Sequence, residues 1–234
     1  MEVRLAQLMC ADDRRLQPGE SFAVCVCSAE HLPDGPSEPT HRGDPYMRRR
    51  KALQHTAGRA AASLALQQLG SATGEIAPGA QGEPIWPAGV TGSISHCWPW
   101  SIAVAAWSNG FTIGIDLERV DRLHDFEITG LVCREGELPW VMAGENPHER
   151  LVLLFSAKEA IYKALFPVYR QYIDFQQVEL SHAGTVDAFT GYVELSIGGA
   201  SSRQPVVARW AIDGTLVFTY VMHSRISPPT TRVN

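Results

Sequence analysis

The sequence predicts an α+β fold in two lobes, each a helix packed on an antiparallel sheet. Three observations carry this. Strand-like and helix-like stretches alternate loosely, with hairpin signals in place of regular strand–helix–strand units. Residues 206–212 and 216–223 flank Asp213-Gly214, a strong two-residue hairpin signal. A break near Asn109-Gly110 divides the 234 residues into similar halves, an N-terminal lobe of residues 1–109 and a C-terminal lobe of residues 110–234.

The elements follow in chain order. Residues 1–15 carry acids and arginines without the apolar stretch of a signal peptide, and no run nears the ~20 apolar residues that span a bilayer. A cytoplasmic globular protein is expected. Residues 21–27 (SFAVCVC) read as a strand and residues 31–45, rich in Pro and Gly, as a loop. Asp44-Pro45 reads as an N-cap followed by proline at the first helical position, with Gly70 as the matching stop. Between them Leu53, Ala57, Ala60, Ala61 and Leu64 fall at helical spacing and are expected to face the core. Residues 78–87 form a second loop, and short strands are expected near 92–95, 101–107 and 111–116. Residues 119–148 mix Pro, Gly and charges, which suits short helices and a mobile segment. A helix is expected to start at Ser156, strands to follow from Phe175, and residues 227–234 to fray.

Composition narrows the function. With 45% hydrophobic residues the chain can bury a sizeable core. A net charge of -5, from 20 basic and 25 acidic residues, speaks against a broad nucleic-acid-binding face. The five cysteines, Cys10, Cys25, Cys27, Cys97 and Cys133, are odd in number and include no CxxC pair. That argues against a disulfide framework or a zinc knuckle and for incidental thiols in a reducing compartment.

Four motifs could carry chemistry. In Gly114-Ile115-Asp116-Leu117-Glu118 the two acids share one strand face while Leu117 points to the core. Such a pair suits an all-oxygen site for Mg²⁺, Mn²⁺ or Ca²⁺. It also suits a solvated strand end with Glu118 paired to Arg119 or Arg122. In Phe155-Ser156-Ala157-Lys158-Glu159-Ala160-Ile161-Tyr162-Lys163, Ser156 and Glu159 fit a capping box, and Glu159 and Lys163 fit a helix ion pair. Lys158, Glu159, Tyr162 and Lys163 also share an arc beside the expected helix start, a place for a phosphate and its metal. Lys51, His55 and Arg59 form a basic stripe, a solvated face or a phosphate grip. In Gly92-Ser93-Ile94-Ser95-His96 the adjacent Ser95 and His96 face opposite ways, so they are no nucleophile–base pair. His96 is read either as a donor to phosphate or as a structural histidine.

Taken in order, these motifs resemble the 4′-phosphopantetheinyl transferases of the surfactin-synthetase-activating type, and most closely the enterobactin synthase component D branch. The resemblance rests on Ala57-Gly58-Arg59-x-Ala61-Ala62, Gly82-Glu83-Pro84-x-Trp86-Pro87, the segment from Gly92 to Cys97, the segment from Gly114 to Glu118, and Phe155-Ser156-Ala157-Lys158-Glu159-x-x-x-Lys163-Ala164. It runs from about Arg48 to Ala211 and leaves the first 40 or so residues unmatched.

The resemblance implies a pseudo-two-fold pair of lobes with coenzyme A between them. The implied reaction moves the phosphopantetheine arm of coenzyme A to a serine of an apo acyl or peptidyl carrier domain, releasing adenosine 3′,5′-bisphosphate. Asp116, Glu118 and Glu159 are implied to bind Mg²⁺ (or Mn²⁺) with the diphosphate, and Glu159 to help deprotonate the carrier serine. Lys163 and Lys158 are placed at the diphosphate, and Arg59 and His96 at the 3′-phosphate or diphosphate. Lys51, Ser95 and the loop of Pro78, Gly79, Ala80 and Gln81 are placed at the nucleotide, with Ile173 as an apolar contact. Gln81 and Lys51 depart from the family pattern, which often has a basic residue and Arg there.

A monomer is implied, since the shorter trimeric type corresponds to one lobe, and so are carriers of polyketide, non-ribosomal peptide or siderophore synthesis. Docking is expected near residues 119–150, on Leu123, Phe126, Ile128 and Leu131 with Arg122 and Arg134. The competing readings are a Mg²⁺-dependent hydrolase of a coenzyme A-type diphosphate and a non-catalytic coenzyme A-binding protein.

Overall fold

The chain runs β1 (Phe22–Ser28), α1 (Pro45–Gln68), β2 (Val90–Cys97), β3 (Trp100–Trp107), β4 (Phe111–Arg119), α2 (Thr129–Val132), α3 (Leu138–Met142), α4 (Pro147–Tyr169), a 3-10 turn (Phe175–Gln177), β5 (Val178–His182), β6 (Ala188–Ile197), β7 (Ala200–Asp213) and β8 (Leu216–Ser224). The structure is a computed structural model and describes residues 22–28, 45–71, 74–121, 128–184 and 187–224. Expectations placed on residues 1–15, Ser21, the loop from His31 to Asp44, Arg122, Leu123, Phe126 and the tail from Ser227 lie outside them. Among the described residues no helix is long and apolar enough to cross a membrane.

The fold is α+β, with two antiparallel sheets in the orders β1-β3-β2 and β4-β8-β7-β6-β5. A hairpin joins β7 to β8 as expected, but its two-residue turn is Gly214-Thr215, one position later than the signal suggests: Asp213 still pairs with Leu216, and Gly214 takes the positive φ, 61°.

Helix α1 covers the first sheet. It buries Ala57, Ala61, Ala62, Ala65 and Leu66, and the last four share a core with Leu69 just past its end and with Ala23, Cys25, Ala103 and Ala105 of the sheet. Small side chains on both surfaces let the helix lie close. The expected stripe is therefore rotated: Ala57 and Ala61 face the core, Leu53 is half-buried, and Ala60 and Leu64 are exposed. The phase of the helix turns Ala61, Ala62, Ala65 and Leu66 inward together and leaves Ala60 and Leu64 on the outer side. Gly70, at φ 72°, ends the helix, and Ser71 N–H reaches back to Leu66 O at 3.0 Å.

Helix α4 covers the second sheet, burying Leu151, Leu154, Ala157, Ile161 and Leu165 in the larger core. It begins nine residues before Ser156. Pro147 takes the first turn and the Asn146 side chain accepts Glu149 N–H at 3.2 Å. The capping box expected at Ser156 and Glu159 is thus absent. Ser156 is buried in mid-helix, where its hydroxyl meets Thr219 Oγ1 at 2.9 Å and its carbonyl accepts from the same threonine at 2.8 Å.

Two contacts set the site. Strand β4 lies directly on the backbone of α4, because a Cβ on Gly114 would fall 2.0 Å from Ala160 O and 2.4 Å from Ala164 N. Strands β2 and β4 meet through side chains: Ser93 Oγ accepts Ile115 N–H at 3.1 Å and Ser95 Oγ accepts Leu117 N–H at 3.2 Å. These hydroxyls satisfy backbone donors on β4 that β8 does not reach. Beside this joint Val24, Ile102 and Val104 of one sheet share a core with Ile113, Ile115 and Phe218 of the other.

Gly114→Ala is expected to cost about 3 kcal/mol or more, because backbone on both sides must give way. Gly130→Ala, where a Cβ meets nothing within 4 Å, is the control and is expected to be near neutral. Urea denaturation checks this, and equal midpoints for the two variants would contradict the packing argument.

Candidate active site

Three elements deliver one cluster: Asp116 from β4, Ser95 from β2 and Lys163 from α4. Lys163 Nζ donates to Asp116 Oδ1 at 2.7 Å and to Ser95 Oγ at 3.1 Å. Ser95 Oγ–H donates to Asp116 Oδ1 at 2.8 Å while accepting Leu117 N–H, so the hydroxyl is fully used. Asp116 is only 3% exposed, and its buried Oδ2 has no hydrogen-bond partner among the described residues. A buried carboxylate oxygen left bare costs more than the ~1–3 kcal/mol of a neutral group, and a cation relieves it.

Glu118 and Glu159 share this field. Burial first, then Asp116, pushes the Glu118 carboxyl up to about 8, with Glu159 adding and Lys163 opposing. Burial and Asp116 raise Glu159 as well, again against Lys163. One ammonium thus faces three carboxylates, two of which hold protons more tightly than usual. An all-oxygen set that is short of positive charge fits a hard divalent cation. Among the described residues no three such groups are closed into a coordination shell, so the carboxylates are gathered without being preformed around a cation.

The competing pairings are disfavoured. Arg119 turns to Asp121, with Nε at 2.8 Å, leaving Glu118 to the cluster. Lys163 reaches across to Asp116 instead of forming a simple ion pair with Glu159 one turn away.

A cleft of about 630 Å³ opens beside Lys163. The loop of Gly79, Ala80, Gln81 and Glu83 forms one wall with Trp86, and Tyr162, Phe166 and Arg170 of α4 form the other. The loop is pinned by the Pro78–Pro84 bridge and by Gly79 N–H to Glu83 O at 2.6 Å. A smaller cavity of about 80 Å³ lies past Glu159, where Ile173 joins Tyr162, Tyr172 and Phe175.

Other predicted residues stand elsewhere. Lys158 is corrected outright: it is 2% exposed, and its ammonium donates to Glu137 Oε2 at 2.7 Å, Val132 O at 2.8 Å and Phe175 O at 3.1 Å. Those three partners leave it no donor for a ligand. It ties residues 132–137 to α4 one position before Glu159, and removing either charge would leave the other buried alone. Arg59 donates from Nη1 to Ile76 O and, at 3.0 Å, to Ala77 O, so it holds the entry to the cleft loop. His96 is exposed, and its imidazole pKa is lowered by the surrounding protein and by Lys163. Lys51 and His55 are exposed on α1, and neither lines the cleft. Arg134 is spent on Glu179 and Glu194, at 3.4 and 3.7 Å.

Sequence reading missed Glu137 and Arg170. Glu137 sits in a charged, aperiodic stretch that gives no hint of burial. Arg170 follows Pro167, where no pattern marks a cleft.

Comparison with known proteins fits this architecture. Residues 47–106 match the 4′-phosphopantetheinyl transferase N-terminal domain, and residues 112–205 match the 4′-phosphopantetheinyl transferase superfamily. A 4′-phosphopantetheinyl transferase of Mycobacterium tuberculosis is 31% identical over 170 residues, covering 69% of this chain and 74% of that protein. The chain belongs to the 4′-phosphopantetheinyl transferases. A second transferase, from Streptomyces mobaraensis, is 34% identical, covering 70% of this chain and 68% of its own. Enterobactin synthase component D of Salmonella typhimurium is 40% identical over 119 residues, or 50% of this chain and 49% of that one. Transferases of this family move the phosphopantetheine group of coenzyme A onto carrier proteins.

The raised carboxyls give this transferase a definite pH response. An acid whose pKa is higher folded than unfolded binds more protons in the native state. Its contribution is therefore lost as pH rises from the ordinary 4.5 towards about 8. The thermal midpoint of the metal-free protein is expected to fall across that window, and Mg²⁺ or Glu118→Gln to flatten the fall. A midpoint that rises with pH in EDTA would contradict the assignment.

Proposed function

We propose that this transferase works with Mg²⁺ held by Asp116, Glu118 and Glu159, and arms carriers of polyketide, non-ribosomal peptide or siderophore synthesis. The observation that carries the metal reading is the orphaned, buried Oδ2 of Asp116 beside two carboxyls that hold their protons too tightly. When bound, the cation supplies Lewis-acid charge to diphosphate oxygens and a template for in-line attack.

The chain's own residues do the rest. Ser95 and Lys163 fix Asp116, and Lys163 adds positive charge where the leaving phosphate develops its own. Glu159 takes the proton from the carrier serine hydroxyl. The serine oxygen bonds to the phosphorus bearing the pantetheine arm, the diphosphate bridge breaks, and adenosine 3′,5′-bisphosphate leaves. In this reading the nucleotide lies in the cleft beside residues 79–83, with His96 near its phosphates, and the arm runs towards Ile173. The N-terminal lobe, residues 1–109, holds the nucleotide, and the C-terminal lobe, residues 110–234, carries the carboxylates.

The carrier docks beside Glu159. Leu131 and Tyr172 are 56% and 69% exposed, and both flank the Phe175–Gln177 turn. Gln176 Nε2 steadies that surface by donating to Leu131 O at 2.8 Å and Cys133 O at 3.1 Å. The enzyme is read as a cytoplasmic monomer.

Incubation of apo carriers with coenzyme A and Mg²⁺, followed by mass spectrometry, is expected to show one phosphopantetheine gained on the carrier serine. Asp116→Ala or Glu159→Ala is expected to lower the rate by at least 10²-fold. EDTA is expected to stop the reaction. Release of phosphopantetheine without any carrier would favour a hydrolase instead.

A further inference from the structure

The α4 wall of the cleft ends at Arg170. This residue caps the helix in the left-handed region, at φ 52° and ψ 32°, the only non-glycine with positive φ among the described residues. Gly or Asn takes that conformation readily, whereas a residue with a branched or long side chain is strained there. Helix termination needs only the backbone, since Arg170 N–H reaches Phe166 O at 2.9 Å. The side chain must be explained by what it touches.

It crosses the cleft. Arg170 Nη1 meets Glu83 Oε1 at 3.0 Å on the opposite loop, and the guanidinium sits 5.6 Å from the Phe166 ring centroid. Glu83 is itself fixed: Oε2 accepts Gln81 N–H at 2.9 Å, and a Cβ on Gly79 would fall 2.3 Å from its carboxyl carbon. The arginine side chain is 64% exposed, so the pair is weak and easily exchanged. Among the described residues the only other lysine or arginine lining the cleft, Lys163, is engaged by Asp116 and Ser95. A phosphate-bearing ligand entering here therefore meets one exchangeable cation, and that cation is held by a carboxylate.

We propose that Arg170 is a phosphate-binding residue for the nucleotide end of coenzyme A, trading Glu83 for a phosphate when the cleft fills. This rests on reading the cleft as the coenzyme A site. Lys163 and Arg170 are seven residues apart on one helix face, about 11 Å along the axis. Coenzyme A carries phosphate in two places, a diphosphate and a ribose 3′-phosphate, so it can present one group to each cation. Glu83, ionised and facing the same space, acts as the competitor that must be displaced.

Calorimetric titration with coenzyme A and with dephospho-coenzyme A tests this on four variants. Arg170→Gly removes the guanidinium and relieves the backbone strain, so lost affinity cannot be ascribed to unfolding; a thermal midpoint at or above that of the unchanged protein verifies this. It is expected to weaken coenzyme A binding about tenfold at low salt and less at high salt. Arg170→Lys is expected to recover part of the loss. Glu83→Gln is expected to tighten binding in the presence of Arg170 and to change nothing when combined with Arg170→Gly. Loss confined to coenzyme A assigns Arg170 to the 3′-phosphate, and equal loss with the dephospho form assigns it to the diphosphate; both support the proposal. If Arg170→Gly binds both ligands as the unchanged protein does, the proposal is overturned while the cleft remains the coenzyme A site. Failure of the unchanged protein to bind coenzyme A would overturn the reading of the cleft itself.

Discussion

The architecture turns on a missing side chain. Gly114 lets β4 lie against the backbone of α4, and no other residue leaves that space. Asp116 follows two residues along the same strand, and Lys163 leaves the helix one residue before the contact at Ala164. The approach of strand to helix thus decides which acid meets which base. Ser95 completes the arrangement from the other sheet, because its hydroxyl, one of the two that join β2 to β4, also orients Asp116. Fold and site share their hydrogen bonds, so the joint between the sheets cannot loosen without disturbing the acid.

Electrostatics then gives the site its character. Three buried or half-buried carboxyls with one lysine between them form an incomplete set. Burial alone would turn such groups into neutral acids, and a nearby like charge makes this worse. The stable alternatives are protons or a cation, and a diphosphate brings the demand for the second. Lys158 shows the contrasting case a few atoms away. Its charge is buried too, but Glu137 and two carbonyls satisfy it, so it serves structure.

Much of this was legible in the sequence. The α+β class, the β7–β8 hairpin with its Gly214 and the stop at Gly70 were visible because local backbone chemistry dictates them. Asp116 and Glu118 could be paired from strand alternation alone. The errors arose where tertiary packing overrode local pattern. Ser156 and Glu159 match a capping box by type and spacing, yet the helix had already begun at Pro147. Leu64 is more apolar than Ala65, but the helix phase set by Ala61, Ala62 and Leu66 turns Ala65 inward and Leu64 out. Lys158 and Lys163 look alike in sequence; a buried glutamate 21 residues upstream separates their roles. Arg170 carried no signal, because its meaning lies in a loop 87 residues away.

The central claim is that these carboxyls exchange protons for a divalent cation when the diphosphate arrives. Calorimetry of coenzyme A binding near pH 7, with and without Mg²⁺ and in two buffers of different ionisation enthalpy, tests it most directly. The account predicts tighter binding with Mg²⁺, accompanied by proton release that Glu118→Gln reduces. Binding indifferent to Mg²⁺, with no protons released, would contradict it.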